Sequence, residues 1–304
     1  MPELSLIVAT LGRTLELDRL MATLVTQSFK NFEIIIVDQN ADDRLNYLIQ
    51  HAENNSLKLT HLRHQPPNLA HARNLGIAVA KGTWCGFPDD DCWYESTTLE
   101  RVLNRCRQND MPHGVVGRWV EQDPVLTAAS FCWKKSSQFR DLPVSSITLF
   151  LHKSVLTQLG GFDARLGVGL WFGAAEETDL VLRALKAESN IVYDPSIRVH
   201  HKVANAINER HLENRIACIT RARGTGALYA KHHLSAWVII RGLLAPILRP
   251  WAQSQFIQEL KQNLIQGWAT SQGRYQGWRQ WKQLHTNPRN KKKLSSIQNN
   301  QASS

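Results

Sequence analysis

Three aspartates stand side by side at Asp89, Asp90 and Asp91, directly after the apolar run "TWCGF" (83–87). Like charges at that spacing repel, so the arrangement needs a reason. The three could be solvated loop charges, a calcium loop, or a divalent-cation site serving phosphate. A calcium loop spreads its ligands over about a dozen residues, with a central glycine and a closing glutamate. The following "CWYESTTLE" (92–100) lacks that pattern. A Mg²⁺ or Mn²⁺ held by one or two carboxylates, its remaining shell supplied by a diphosphate, fits better. A second acidic group, Glu176, Glu177 and Asp179, stands at the start of the helix-like "AAEETDLVLRAL" (174–185), where negative charge also simply complements the helix dipole. A histidine pair, His200 and His201, follows "NIVYDPSIRV" (190–199).

The elements that must position these groups come from hydrophobic periodicity. "LSLIVAT" (4–10), "FEIIIVD" (32–38) and "TWCGF" (83–87) read as buried strands, with a shorter one near 57–63. Helical spacing marks 15–27, 44–54 and 68–80 between them. Apolar strands alternating with helices predict an α/β fold, with a parallel sheet covered on both faces. Such sheets bind ligands beyond the carboxyl ends of their strands, and Asp38 and Asp89–Asp91 both fall there. A less regular middle section follows 83–87 and includes 122–143, after which 146–152 reads as a strand and 190–202 as a strand and a loop.

Composition narrows the setting. The five cysteines show no C-x-x-C pair, so neither a disulfide framework nor a zinc site is expected, and a reducing compartment fits best. The chain opens on a strand pattern without a basic, then apolar, leader, so no secretory signal is expected. Lys202 onward holds 16 of the 36 Lys and Arg but 3 of the 26 Asp and Glu. The whole basic excess therefore lies in the last third, which suggests a nearly neutral body carrying a cationic extension toward an anionic surface.

Four segments in order, "LSLIVATLGR", "FEIIIVDQN", "LAHARNLGIAVAKGTWCGFPDDDC" and "GGFDARLGVGLWFGAAEETDLVLRAL", resemble the inverting nucleotide-sugar glycosyltransferases of family 2. The resemblance spans roughly 4–202. It implies the GT-A fold, a Rossmann-like, mixed but mostly parallel sheet flanked by helices, here with a C-terminal helical extension. It implies a UDP, GDP or dTDP sugar as donor and Mn²⁺ or Mg²⁺ as cofactor. Ala9 and Thr10 match the cradle for the nucleotide base, Arg13 and Arg73 match donor-side arginines, and Asp38 matches the aspartate that bonds the base. Asp89 and Asp91 match the D-x-D pair, with Asp91 the better metal ligand and Asp90 near the sugar or ribose. Glu177 stands where the family places its base, Glu176 and Asp179 orient base or acceptor, and His201, or less favourably His200, matches a further metal ligand. Of Trp84, Trp93 and Trp171, aromatics able to stack on a sugar, only Trp171, in the glycine-rich loop before Glu177, is expected at the acceptor site.

An inverting transfer needs such a set. The acceptor hydroxyl attacks opposite the leaving diphosphate, so a base must stand on one side of the sugar and positive charge on the other. Two departures are visible: Cys92 follows the D-x-D where many relatives carry an acid, and Glu176-Glu177 replaces the commoner Glu-Asp. They motivate the alternative of a catalytically weak nucleotide-sugar-binding scaffold. A nucleotidyltransferase is the weaker rival, because its glycine-rich N-terminal loop is missing.

These readings divide the chain into a GT-A domain at 1–202, a basic amphipathic helical extension at 203–285 and a disordered tail at 286–304. Within the domain, 1–120 is the nucleotide-sugar half and 121–202 the acceptor half. The stretch "LSAWVIIRGLLAPILRPW" (234–251) is too interrupted to span a bilayer, but with Trp237, Trp251, Arg241 and Arg249 it suits the headgroup region. A soluble helical cap remains open as well. Nucleic-acid binding lacks a recognition motif. The expected partners are thus a nucleotide sugar, a glycan or glycolipid acceptor and an anionic membrane surface. The expected location is cytoplasmic, peripheral on the inner face of the cell membrane.

Overall fold

The computed structural model describes residues 1–54, 57–124, 126–139, 143–202, 215–253 and 257–286. The tail expected to be disordered, 286–304, lies outside them except for its first residue. The chain divides into two compact units: residues 1–164 with 176–206, and residues 165–175 with 207–304.

The first unit alternates strands and helices: β1 (Leu4–Thr10), α1 (Leu15–Val25), β2 (Phe32–Asp38), α2 (Asn46–Asn54), β3 (Leu59–Arg63), α3 (Leu69–Val79) and β4 (Trp84–Gly86). There follow β5 (Cys92–Tyr94), α4 (Thr98–Cys106), β6 (Gly114–Trp119), β7 (Ala129–Ser130) and α5 (Trp133–Ser136). After a 3₁₀ turn (Ser146–Thr148) come β8 (Leu149–His152), α6 (Lys153–Leu159), α7 (Glu176–Lys186) and β9 (Ile191–His201). The sheet order is β3-β2-β1-β4-β8-β6-β9-β5, with β7 beside β9. The long ladders β1–β2, β2–β3 and β6–β9 are parallel, and the shorter ones at β8 and β5 are antiparallel.

The apolar runs of β1 and β2 are continuous because both of their faces are covered. Leu4, Leu6 and Val8 point one way, into a core shared with Leu17, Leu20 and Leu24 of α1 and with Leu99 and Val102 of α4. Ile7 and Ile35 point the other way, onto Ala70 and Ala72 of α3 and Leu180 and Ala184 of α7. On that side Gly76 lets α3 lie close, because a Cβ there would stand 2.3 Å from Ile7 Cγ2. The close approach fixes the depth of Arg73, one turn earlier.

Two boundaries differ from the sequence reading. Segment 174–185 becomes helical only at Glu176, because Ala175 takes φ +81°, outside the helical region. Segment 190–202 is one strand up to His201 rather than a strand and a loop, held by β6 on one side and β5 on the other.

The second unit contains α8 (Arg215–Lys231), α9 (Ala236–Gln253) and α10 (Ile257–Thr286). Helices α8 and α10 meet backbone to backbone: a Cβ on Gly226 would lie 2.0 Å from Arg274 O, and one on Gly277 2.0 Å from Arg223 O. Pro246 within α9 cannot donate to Gly242 O, and Arg274 Nη1 donates there instead, at 2.6 Å. Among the described residues no helix is long and apolar enough to cross a membrane.

Candidate active site

The site lies in the first unit, where the carboxyl ends of β1, β2 and β4 open together. Thr10, the last residue of β1, donates its hydroxyl to Asp90 Oδ2 at 2.7 Å, and Arg13 Nη1 donates to Asp90 Oδ1 at 2.7 Å. Arg13 also pairs with Asp91. Burial pushes the Asp90 carboxyl above its ordinary value, against the pull of Thr10 and Arg13. Asp90 is therefore fastened to the β1 end of the site, with Ala9 half-buried beside Thr10.

Asp91 meets its partner through strand pairing. The β5–β9 ladder sets Cys92 opposite His201, so the residue just before β5 arrives beside a histidine 110 positions away in sequence. His201 Nε2 stands 2.8 Å from Asp91 Oδ1. Beyond that ion pair, the buried Asp91 Oδ1 and His201 Nδ1 have no hydrogen-bond partner among the described residues. Burial raises the Asp91 carboxyl, but His201 and Arg13 outweigh it and leave the group below its ordinary value. Asp91 in turn raises His201. Ligand atoms of Asp89, Asp91 and His201 all lie within 4.8 Å of one another, the only such set among the described residues. Two carboxylates and an imidazole, with buried atoms unsatisfied, suit Mn²⁺ or Mg²⁺.

His200 faces the opposite side of β9. It lies 2.6 Å from Glu121 and 3.2 Å from Glu95, and its ring stacks on Trp93 with centroids 5.4 Å apart. Cys92, which occupies the position after the D-x-D, is fully buried and points into the core, away from the carboxylates.

Arg73 does something that sequence alone does not reveal. It is buried, and its guanidinium spans two carboxylates: Nη2 donates to Asp89 Oδ1 at 2.8 Å and Nη1 to Glu176 Oε1 at 3.0 Å. It thereby ties the β4 loop to the start of α7. Of the acidic residues of α7, Glu176 is held by Arg73, and Asp179 is fully buried and paired with Arg183 Nε at 2.8 Å. Glu177, half-buried, has no arginine partner among the described residues. Burial and the neighbouring Glu176 push its carboxyl up to about 8.

Asp38, at the end of β2, is fully buried and already saturated by the protein. Its Oδ1 accepts from Asn40 N at 2.8 Å and Asn40 Nδ2 at 2.7 Å, and His61 Nε2 lies 3.1 Å from Oδ2. Asn40 in turn accepts from Gly12 N at 2.7 Å, joining the β1 and β2 loops. Asn40 and His61 were not singled out by sequence, although an Asn two residues after an Asp is a turn signal. Trp119 and Arg19 gave no signal at all. Trp119 Nε1 donates to His201 O at 3.0 Å, and Arg19 Nη2 donates to Asp91 O at 2.7 Å. Trp171 belongs to the second unit, where the Arg223 guanidinium lies 4.4 Å over its ring.

Comparison with known proteins bears on the family and the fold. Residues 5–142 match glycosyl transferase family 2. A Haemophilus influenzae protein, described as an uncharacterized glycosyltransferase, is 34% identical over 107 residues, 35% of each chain. A Campylobacter jejuni protein, the GalNAc(5)-diNAcBac-PP-undecaprenol beta-1,3-glucosyltransferase, is 25% identical over 190 residues, 56% of this chain and 60% of its own. The chain thus spans from about a third to 60% of the length of these relatives. Among solved structures, the mannosyltransferase PcManGT of Pyrobaculum calidifontis with GDP-Man and Mn²⁺ superposes with TM-score 0.63 at 13% identity, covering 89% of this chain and 86% of that one. The S. aureus TarS fragment with UDP-GlcNAc gives TM-score 0.57 at 13% identity, covering 90% and 91%. These likenesses identify the fold as GT-A.

Proposed function

We propose that this chain, whose residues 5–142 match glycosyl transferase family 2, transfers a sugar, with inversion, from a nucleotide-diphospho-sugar to an acceptor hydroxyl. The observation that carries the reading is the cluster of Asp89, Asp91 and His201, whose ligand atoms lie within 4.8 Å of one another and which Arg73 joins to the acidic turn of α7. A donor in UDP, GDP or dTDP form fits the open carboxyl ends of β1 and β2. The relatives solved with UDP-GlcNAc and with GDP-Man and Mn²⁺ support that class.

Asp89, Asp91 and His201 would hold the divalent cation, which when bound supplies positive charge toward a departing diphosphate. Thr10 and Arg13 fix Asp90 at the donor side, and Arg13 adds a further cation there. Arg73 keeps Asp89 and Glu176 at a set separation, so the leaving-group side and the base side share one rigid link. Glu177 takes the acceptor proton, and its raised carboxyl makes it a stronger base once deprotonated. Asp179 fastens α7 through Arg183. Asp38, with Ala9 and Thr10, walls the space for the nucleotide base.

The acceptor is a lipid-linked or surface polysaccharide precursor, met at the cytoplasmic face of the cell membrane. The named acceptor of the Campylobacter relative and the acid-free, arginine-bearing α8 and α9 support this. The test is a screen of nucleotide sugars with Mn²⁺ by thermal shift, followed by NMR of the anomeric product. A stabilising donor whose product has the opposite anomeric configuration is expected. Retention of configuration would overturn the inverting mechanism. Unchanged donor turnover in Glu177→Ala would remove Glu177 as the base.

A further inference from the structure

The second unit carries an apolar surface that its described helices leave uncovered. On α9, Trp237, Ile240, Leu244, Leu248 and Trp251 are all exposed and recur every three or four residues, which places them in one stripe. At the margin of the stripe, Leu243 and Ile247 turn toward α10. With Leu244, Trp268 and Tyr275 they line a cavity of about 600 Å³. Leu244 and Trp268 belong both to the cavity wall and to the exposed surface, so the cavity opens where the stripe lies. Its single lining cation is Arg215, the first residue of α8, whose Nη2 donates to Gln272 Oε1 at 3.2 Å. Ser271, also on the wall, is turned away to Leu243 O at 2.6 Å. The interior therefore presents hydrocarbon, with one guanidinium at the start of α8.

Charge selects the occupant. Neither α8 nor α9 contains an acidic residue, while α8 carries Arg215, Arg221, Arg223 and Lys231, and α9 carries Arg241 and Arg249. A second copy of this face would bring cation against cation. An anionic lipid offers the opposite charge together with an apolar chain, and exposed tryptophans at both ends of the stripe suit the boundary between headgroup and acyl layer.

We propose that the cavity between α9 and α10 takes the hydrocarbon chain of a phosphate-headed lipid, with Arg215 meeting the phosphate and the α9 stripe seated in the surrounding membrane surface. This rests on the membrane-surface part of the proposed function and names the ligand of that surface. Burial of a long chain supplies the affinity, because the gain grows with the apolar area removed from water.

Titration of the full chain with dodecyl phosphate below its micelle concentration, by calorimetry, is the test. Saturable binding at one molecule per chain is expected, with none for inorganic phosphate at the same concentration. Arg215→Gln should weaken dodecyl phosphate roughly tenfold and leave an uncharged dodecyl ether unaffected. Ile247→Trp, which fills the cavity from within, should weaken it by at least about tenfold while sedimentation with anionic vesicles persists. Absence of saturable binding, or wild-type affinity in Ile247→Trp, would overturn the site. Should that variant fail to fold, quenching by a chain-brominated phospholipid decides: it should fall in Trp268→Phe, and equal quenching would count against the cavity. Mn²⁺-dependent binding of a nucleoside diphosphate is followed on the same samples. Its loss in the wild-type chain would sink the transferase reading alone, and its retention alongside a failed lipid titration would sink the lipid site alone.

Discussion

Two aspartates sit at the same end of the same sheet, and the protein treats them in opposite ways. Asp38 is buried and surrounded by donors from Asn40 and His61, so the fold itself answers its charge. Asp91 is half-buried and pairs with Arg13 and His201, yet its Oδ1 and the nearby His201 Nδ1 have no hydrogen-bond partner among the described residues. A buried polar atom left unsatisfied costs free energy, and folds rarely keep one without a use. Position relative to the strands therefore does not separate a scaffold carboxylate from a functional one. What separates them is how the charge is answered: by donors fixed within the neighbouring loop and strand at Asp38, and by the ionisable partners Arg13 and His201 at Asp91. The neighbouring histidines repeat the contrast, His200 held between Glu95 and Glu121 and His201 turned to Asp91 in the candidate metal cluster.

The comparison can be broken most directly at Asp91. Asp91→Ala should weaken Mn²⁺-dependent binding of a nucleoside diphosphate by about a hundredfold or more, and calorimetry giving wild-type affinity would erase the distinction from Asp38. Asp38→Ala should do the reverse in kind. It strands the Asn40 and His61 donors and should cost about 2–3 kcal/mol in a urea melt, while Mn²⁺ binding persists.

Glu177 tests the contrast through pH. Its folded carboxyl holds a proton up to about 8, whereas the unfolded chain releases it near 4.5. The native state binds more protons between those values, so stability falls as pH rises from 4.5 to 8. Glu177→Gln removes that loss. The variant should be more stable than wild type at pH 9 by on the order of 1–2 kcal/mol, after allowance for its partial exposure, and no different at pH 4. Donor turnover in the wild type should rise through the same range if Glu177 is the base. The smallest effect is expected at His200→Ala, which should cost about 1 kcal/mol in the melt and leave Mn²⁺ affinity unchanged. A drop in metal affinity there would show that the two faces of β9 are not independent.

Much of this layout was readable beforehand, for a physical reason. Strands buried on both faces read as near-continuous apolar runs, so β1 and β2 declare themselves despite the buried Ser5–Glu33 pair, and their carboxyl ends then mark Thr10 and Asp38. The short strand β5 does not. Three residues, "CWY", carry no period, and their role comes only from pairing with β9, which brings Asp91 to His201. Arg73 was legible as a site residue but not as a bridge, since Glu176 lies 103 residues away. Helix α4 sits in a stretch read as irregular, although Leu99, Val102, Leu103 and Cys106 have helical spacing. The order of Glu176, Glu177 and Asp179 was legible too. Which of them an arginine neutralises depends on tertiary partners alone.

Residues 165–175 leave the first unit in mid-chain and join the second, where Gly173 N donates to Thr220 O at 3.1 Å and Phe172 packs edge-on against Trp281. On the ribosome this segment emerges well before α8 and α10, the helices that hold it. The chain must therefore carry Trp171 and Phe172 without their partners until almost the last helix is made. No single cut separates the units either. A truncation after residue 206 would leave eleven residues without the neighbours that shape them, so the two units are parts of one folding task rather than modules to be exchanged.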